Sequence, residues 1–225
     1  MTYDHWSYII ELTLVKGSGN MPSTTYYNLS KDKKERIFNA GVLEFSYHDF
    51  NDASVNTIVR IANISKGSFY QYFEDKEDFY WFIVMDIIYG QVGNYEVLLK
   101  VNKGDLFKTE EELFNHILEL FDDMKYRNLI KHVYKTSYME ISSRLSIKAN
   151  TIYLEMYDLL MSFGFKGYNI KSKEDFLIVF NMLRNITNNT IITMISEELS
   201  LLETKELYSK QLEVLGTGIN KRGWF

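Results

Sequence analysis

Residues 54–73 read SVNTIVRIANISKGSFYQYF, and they predict two short helices joined by a tight turn. Ser54 suits the N-cap of the first helix, in which apolar residues recur at three- and four-residue spacing. Asn63 tolerates the left-handed backbone that ends a helix, and Ser65 can cap the second helix. The stretch therefore predicts a helix-turn-helix unit.

The second of these helices has two contrasting faces. Phe69 and Phe73 are four residues apart, so they would share one face and point into the protein. The other face has small or polar side chains, although Gly67 costs about 1 kcal/mol inside a helix. A glycine is useful where the backbone must come close to another surface, and the major groove of DNA admits one helix. The pattern favours a helix that reads DNA.

The chain on both sides of this unit also reads as helical, so the predicted fold class is all-α. A helix over residues 31–47 follows Ser30, and a long helix opens with the acidic stretch 74–77 and runs past Gly90. The sequence predicts further helices at 110–126 after the cap Thr109, at 129–146, 149–163 and 173–199, and at 203–215, where Gly216 and Gly218 end the last one.

Composition excludes several classes of protein. The chain has 225 residues, a formal net charge of −5 and no cysteine, so disulfides and thiolate metal sites are excluded. No apolar run approaches the roughly 20 residues that a membrane span needs. The negative charge is not evenly spread, because residues 54–73 contain Arg60 and Lys66 and no acid. DNA binding needs one positive face rather than a basic chain, and a cytoplasmic protein is expected.

Residues 31–90 resemble the TetR family of transcriptional regulators. The family pattern reads I-L-x-A-A-x-x-L-F, then G-[YF], then T-x-x-x-I-A-x-x-A-G-V-S-x-G-x-[LFI]-Y-x-[YH]-F-x-[SD]-K-E-x-L. Asp49 and Asn63 replace turn glycines and Val59 replaces an alanine, and none of these changes threatens the fold. The residues that match in register without a gap are Ile37, Phe38, Ala40, Phe45, Phe50, Ser54, Ile58, Ala62, Ile64, Ser65, Gly67, Phe69, Tyr70, Tyr72, Phe73, Asp75, Lys76, Glu77 and Phe79.

The resemblance implies a set of DNA contacts, some to phosphates and some to base edges. Ser54 with its backbone amide, and Lys76 at the start of the long helix, would each hold a phosphate. Lys66 is the one long charged side chain facing the groove, so readout of DNA shape is expected to contribute. For Tyr70 and Tyr72, packing between the short helices is the alternative to a phosphate contact. The predicted DNA-binding residues are Ser54, Ser65, Lys66, Gly67, Ser68, Tyr70, Gln71, Tyr72 and Lys76.

The predicted domain order is an extension over residues 1–30, a helix-turn-helix domain over 31–90 and a larger helical domain over 91–225. In the extension, either Met21 is the natural start or the residues before it pack onto the body. The resemblance implies that the last domain binds a small molecule and forms a homodimer through its final helices. It also implies that this homodimer binds a palindromic double-stranded DNA operator. Aromatic and methionine residues are abundant there, so an apolar or amphipathic effector is expected.

Other chemistry is not indicated. His116 and His132 lack a second ligand at metal spacing, and no catalytic constellation or phosphate-binding loop is present, so no cofactor, metal or enzyme activity is predicted. Glu140 and Glu155 lie in apolar stretches and would favour a cationic ligand only if they are buried. The prediction is a ligand-responsive repressor; the alternative is a DNA-bound protein of the same fold that recruits a protein partner.

Overall fold

The computed structural model describes residues 22–136, 156–164 and 168–220, and in these ranges the regular secondary structure is helical, which confirms the all-α fold class. The helices are α1 Thr24–Tyr27, α2 Lys31–Tyr47, α3 Val55–Ala62, α4 Lys66–Tyr72, α5 Lys76–Val101, α6 Leu106–Glu119, α7 Met124–Thr136, α8 156–162, α9 Lys173–Ser196 and α10 Leu201–Asn220, with a 3-10 turn at Leu120–Asp122 between α6 and α7.

The chain divides into two compact units that are not simply consecutive. The first contains the chain up to Gly93 together with Leu120–Ser137, and the second contains Asn94–Glu119 and the chain from Tyr138 onward. A single boundary near residue 90 was the sequence prediction. The difference arises because α7 packs against α2 in the first unit, although it follows α6 of the second unit in the chain. Such a contact between distant segments leaves no local signal in the sequence.

The helix-turn-helix forms where the sequence places it. Asn63 has φ 52° and ψ 54°, so it ends α3 in the left-handed conformation. The Ser65 hydroxyl accepts the Ser68 N–H at 2.9 Å and caps α4. Ser30 and Ser54 occupy the N-cap positions of α2 and α3, but their side chains do not make the capping hydrogen bond. Asp49 does not have a positive φ, so the turn that follows α2 does not use left-handed backbone at this residue.

Two predicted helix boundaries around α6 are wrong, and an aspartate explains each. The helix begins at Leu106 because Asp105 Oδ1 accepts the Lys108 N–H at 3.0 Å, whereas Thr109 lies inside the helix. The predicted helix 110–126 also breaks before α7, where Asp123 Oδ1 accepts the Lys125 N–H at 2.8 Å. Short acidic side chains compete for backbone N–H groups and so set these boundaries.

The last two helices also differ from expectation. The helix α9 begins at Lys173 as predicted, where Ser172 and Asp175 form a capping box, but it ends at Ser196. Gly216 and Gly218 do not end α10, which continues to Asn220. A Cβ at Gly216 would lie 3.4 Å from the ring of Phe107, an ordinary contact distance, so this part of α10 lies against α6. Of the predicted helices 129–146 and 149–163, residues 137–155 lie outside the described residues.

The core of the first unit is a cluster of aromatic rings that joins α1, α4 and α5. Phe73 follows α4, and its ring centroid lies 4.6 Å from that of Phe79 and 5.4 Å from that of Phe82. Tyr26 of α1 packs on the same ring at 5.2 Å. The described end of the predicted 1–30 extension is therefore part of this core, and the cluster fixes α4 in place.

Gly41 lets α2 approach α5. A Cβ at this position would lie 2.1 Å from Cδ1 of Ile83 and 2.5 Å from the ring of Phe79. We expect Gly41→Ala to destabilise the first unit by about 1–3 kcal/mol, because overpacking forces side chains off their preferred rotamers. Urea denaturation measures this, with Gly67→Ala as the matched control because a Cβ there meets only Ser65 Oγ, at an ordinary contact distance of 3.8 Å. Equal stability of the two variants would contradict the prediction.

Candidate nucleic-acid interface

The outer face of α4 carries most of the predicted DNA-binding residues. Phe69 and Phe73 are buried on the inner face, as the sequence pattern predicts. Tyr70 is 48% exposed, and Gly67 has only Ser65 Oγ, at 3.8 Å, near its missing Cβ. The side chains or backbone of Ser65, Lys66, Gly67 and Gln71 are exposed, and Ser68 is half-buried. This face offers one positive charge, several hydrogen-bonding groups and an accessible backbone.

Tyr72 differs from the other predicted contacts because it belongs to the core. It is 4% exposed, and its ring centroid lies 6.2 Å from that of Tyr26. Its carbonyl accepts the Ser23 N–H at 2.9 Å, and the Ser23 hydroxyl donates to the carbonyl of Gln71 at 2.6 Å. The packing alternative therefore describes Tyr72, and its position holds the end of α4 against the segment before α1.

The backbone amide of Ser54, predicted to touch phosphate, has a protein acceptor. It donates to Oε1 of Glu44 at 2.7 Å, and Glu44 is buried on α2. Leucine stands at this place in the family pattern, so the buried carboxylate is a departure that sequence reasoning missed. The sequence did contain a signal for this burial, because Glu44 lies on the same stripe of the helix as Ile37, Gly41 and Phe45. Glu44 ties the start of α3 to α2, and the Ser54 side chain makes no capping hydrogen bond.

Lys76, which is predicted to bind a phosphate, also makes hydrogen bonds within the protein. Its Nζ donates to the carbonyl oxygens of Asn51 at 3.1 Å and Ala53 at 2.9 Å, and it lies 4.7 Å from the centre of the Phe50 ring. An ammonium group has three protons, so two bonds to carbonyls leave one for a phosphate. Lys76 therefore links the start of α5 to the turn before α3.

The second unit contains a buried carboxyl group that the sequence did not reveal. Glu110 of α6 is 5% exposed and accepts a hydrogen bond of 3.4 Å from the Tyr208 hydroxyl. Burial raises the pKa of Glu110 to about 7, although the hydroxyls of Tyr95 and Tyr208 act in the opposite direction. The run Glu110–Glu112 reads as solvated, but Glu110 shares the apolar face of α6 with Leu106 and Phe114, both buried.

An open groove of about 560 Å³ lies between α6 and α10 in the same unit. Phe107, Tyr168 and Leu212 supply apolar surface to it, and Glu111 and Glu213 supply charge. The volume falls within the range of small-molecule sites. Glu140 and Glu155, the predicted candidates for a cationic ligand, lie outside the described residues. Within the described ranges no group of three metal-ligating side chains is present.

This architecture defines a class: a helix-turn-helix DNA-binding protein with a second helical unit. A family model described as "Bacterial regulatory proteins, tetR family" matches residues 37–80, and one described as "Tetracyclin repressor-like, C-terminal domain" matches residues 105–219. The chain belongs to the TetR family and is a DNA-binding transcriptional regulator. Membership also confirms the prediction that it is not an enzyme. Among the described residues, no helix is both long and apolar enough to span a membrane.

Two relatives from Bacillus subtilis (strain 168) are similar in sequence. Its "Fatty acid metabolism regulator protein" is 21% identical over 195 residues, which are 85% of this chain and 98% of that protein. The "Uncharacterized HTH-type transcriptional regulator YdgC" is 36% identical over 55 residues, which are 24% of this chain and 28% of that protein. The second similarity is thus local, whereas the first extends over most of both chains.

Two solved structures show the same fold at low sequence identity. A putative TetR-family regulator from Syntrophomonas wolfei str. Goettingen has a TM-score of 0.61 and 19% identity, covering 84% of this chain and 97% of its own. One from Mesorhizobium loti MAFF303099 has a TM-score of 0.60 and 13% identity, covering 86% of this chain and 100% of its own. Both comparisons support the fold.

Proposed function

We propose that this chain is a ligand-responsive repressor that binds a palindromic operator as a homodimer in the cytoplasm. The observation that carries the proposal is the outer face of α4, where Lys66 and small polar residues surround an accessible Gly67 backbone. A helix of this kind fits the major groove, and few long side chains reach base edges. Readout of DNA shape would then complete the specificity.

Exposed apolar side chains on α9 and α10 support a homodimer. Ile178 and Met182 are exposed on α9 at i, i+4 spacing, and Leu202 and Val214 are exposed on α10. Contiguous exposed apolar surface marks interaction sites on soluble proteins, and Ile178 and Met182 are neighbours on one face of α9. A two-fold dimer presents two copies of α4 with the symmetry of a palindrome. Sedimentation velocity of the purified protein measures the oligomeric state, and a monomer at micromolar concentration contradicts the dimer.

The groove between α6 and α10 supports an amphipathic small-molecule effector. Its aromatic and aliphatic surface suits an apolar body, and its carboxylates suit a polar or cationic end. Because the groove is open, it also supports the alternative function, in which a protein segment binds and the regulator recruits a partner. Native mass spectrometry of the protein purified from its host tests this point. A co-purified small molecule that releases DNA supports sensing, and a bound polypeptide supports recruitment.

The DNA-binding function is tested by selecting duplexes from a randomised 30-base-pair pool with the full-length protein. We expect a palindromic consensus, because the dimer has two reading helices. If no duplex is enriched over the starting pool at low salt, the proposal is wrong. The selected duplex, and a scrambled duplex of the same composition, then serve as the probes for the variants.

Lys76→Ala is expected to weaken binding of the selected and the scrambled duplex by the same factor. The change removes a phosphate contact, so the slope of log affinity against log salt should fall by about 0.9. Fluorescence anisotropy over a salt series measures both quantities. Gly67→Ala is the comparison variant: it should be at least as stable as the wild type but bind the selected duplex roughly tenfold more weakly, because its methyl group keeps the backbone of α4 from the groove. An unchanged salt slope for Lys76→Ala would show that Lys76 does not contact a phosphate.

A further inference from the structure

His132 on α7 meets two acceptors at the far end of α2. Its Nδ1 lies 3.0 Å from the carbonyl oxygen of Phe45, and its Nε2 lies 3.6 Å from Oδ1 of Asp49. Phe45 belongs to the last turn of α2, where helix carbonyls lack partners within their own helix. His132 therefore caps α2 from another helix and places its second nitrogen beside the turn that follows.

That turn leads directly to two of the proposed phosphate contacts. The carbonyl of Asp49 accepts the N–H groups of Asp52 and Ala53, each at 3.0 Å. Ala53 precedes Ser54 in the chain, and its carbonyl is one of the two that hold Lys76 Nζ. A displacement of Asp49 would therefore move both Ser54 and Lys76 through hydrogen bonds and the chain itself.

The segment that carries His132 is joined in the chain to the second unit at both of its ends. The chain leaves the second unit after Glu119, contributes α7 to the first unit, and returns to the second after Ser137. Leu129 and Val133, which flank His132 on one side of α7, are buried, so apolar packing holds the helix in place. His132 is one contact through which a shift of α7 would reach the turn at Asp49.

We infer that His132 is a positioning residue for DNA binding: it holds the turn at Asp49 so that Ser54 and Lys76 meet phosphates. The inference rests on the DNA contacts proposed above and adds a residue that does not touch DNA itself. An imidazole suits this role because its two nitrogens lie on opposite edges of one rigid ring, and in the protonated ring both are donors that meet two acceptors together. The His132–Asp49 pair is partly exposed, so its charge attraction is weak and its effect is positional.

The experiment compares five forms of the full-length protein with the wild type: His132→Ala, Asp49→Ala, the double variant of these two, His132→Ala combined with Lys76→Ala, and His48→Ala. His48 is an exposed histidine at the end of α2, so it controls for the loss of a histidine from this region. Affinity for the selected duplex is measured by fluorescence anisotropy over a salt series. Circular dichroism at the assay temperature establishes that each variant is folded.

We expect His132→Ala and Asp49→Ala each to weaken binding roughly 5- to 10-fold, the lower part of the range for coupled sites. The double variant should bind within about twofold of the weaker single variant, because both changes break the same connection. The salt slope of His132→Ala should fall by up to about 0.9 and should not fall further when Lys76→Ala is added, since one phosphate contact is lost in both cases. His48→Ala should bind as the wild type does.

A folded His132→Ala variant with wild-type affinity and salt slope would overturn the inference, as would losses that multiply in the double variant. If His132→Ala does not fold, Asp49→Ala decides the outcome, because the exposed Asp49 side chain contributes nothing to the core. Wild-type binding by Asp49→Ala would then overturn the inference. Failure of the wild-type protein to select any duplex would instead overturn the proposed function, so the two failures are distinguishable.

Discussion

Phe73→Ala is expected to destabilise the first unit by about 3–5 kcal/mol, which is the usual cost of removing a buried phenylalanine. Phe73 is almost fully buried, and its ring contacts those of Tyr26, Phe69, Phe79 and Phe82. The cavity would open beneath α4, so the helix would lose its fixed position. A loss of this size is comparable with the whole stability of many domains, about 5–15 kcal/mol.

The chain offers a local reporter for this prediction. Of its three tryptophans, Trp81 is buried in the first unit, whereas Trp6 and Trp224 lie outside the described residues. Urea denaturation followed by fluorescence in a Trp6→Phe, Trp224→Phe background therefore reports on the first unit. Tyr70→Ala is the control because its ring is half exposed on the same helix. If Phe73→Ala and Tyr70→Ala unfold at the same urea concentration, the aromatic cluster does not carry the stability assigned to it.

Glu110→Gln is expected to stabilise the second unit above pH 7 by on the order of 3 kcal/mol, given about 1.4 kcal/mol per pKa unit. Burial raises the pKa of Glu110 from its ordinary value of 4.5 to about 7. Below pH 4.5 the carboxyl group is protonated in the folded and unfolded states, so it carries no penalty. Between pH 4.5 and 7 the unfolded state loses the proton first, and stability falls as pH rises. The amide removes that cost because it is never ionised.

Thermal denaturation at pH 4.5 and at pH 8 tests this prediction for Glu110→Gln, with the exposed Glu119→Gln on the same helix as control. The melting temperature of Glu110→Gln should exceed that of the wild type at pH 8 and approach it at pH 4.5. Asp86 of the first unit also has a pKa raised to about 7 by burial, so the wild-type profile contains both groups. Because Asp86 is present in both proteins, the difference between their melting temperatures reports on Glu110 alone. If Glu110→Gln is less stable than the wild type at pH 8, the prediction is wrong, because the ionised carboxylate then stabilises the second unit.

Local sequence was sufficient for the helix-turn-helix. Ser65 and Asn63 form the expected cap and stop, and Phe69 and Phe73 form the expected inner face. These features depend on neighbours within four residues, so a short stretch of sequence contains the whole cause. The start of α6 was predicted wrongly, because Thr109 also suits an N-cap, whereas in the structure Asp105 accepts the Lys108 N–H and Thr109 lies inside the helix.

The residues 54–73 thus determined by themselves the two short helices, their turn and the two faces of α4. Only the tertiary structure decided which polar groups are free to meet DNA. In the folded protein Tyr72 is buried in the core, the Ser54 amide donates to Glu44, and Lys76 donates to a carbonyl in the turn before α3. The tertiary structure also brought α7 beside α2. The physical reason is that burial and hydrogen-bond partners depend on segments far apart in the chain, and no local pattern records which segments will meet.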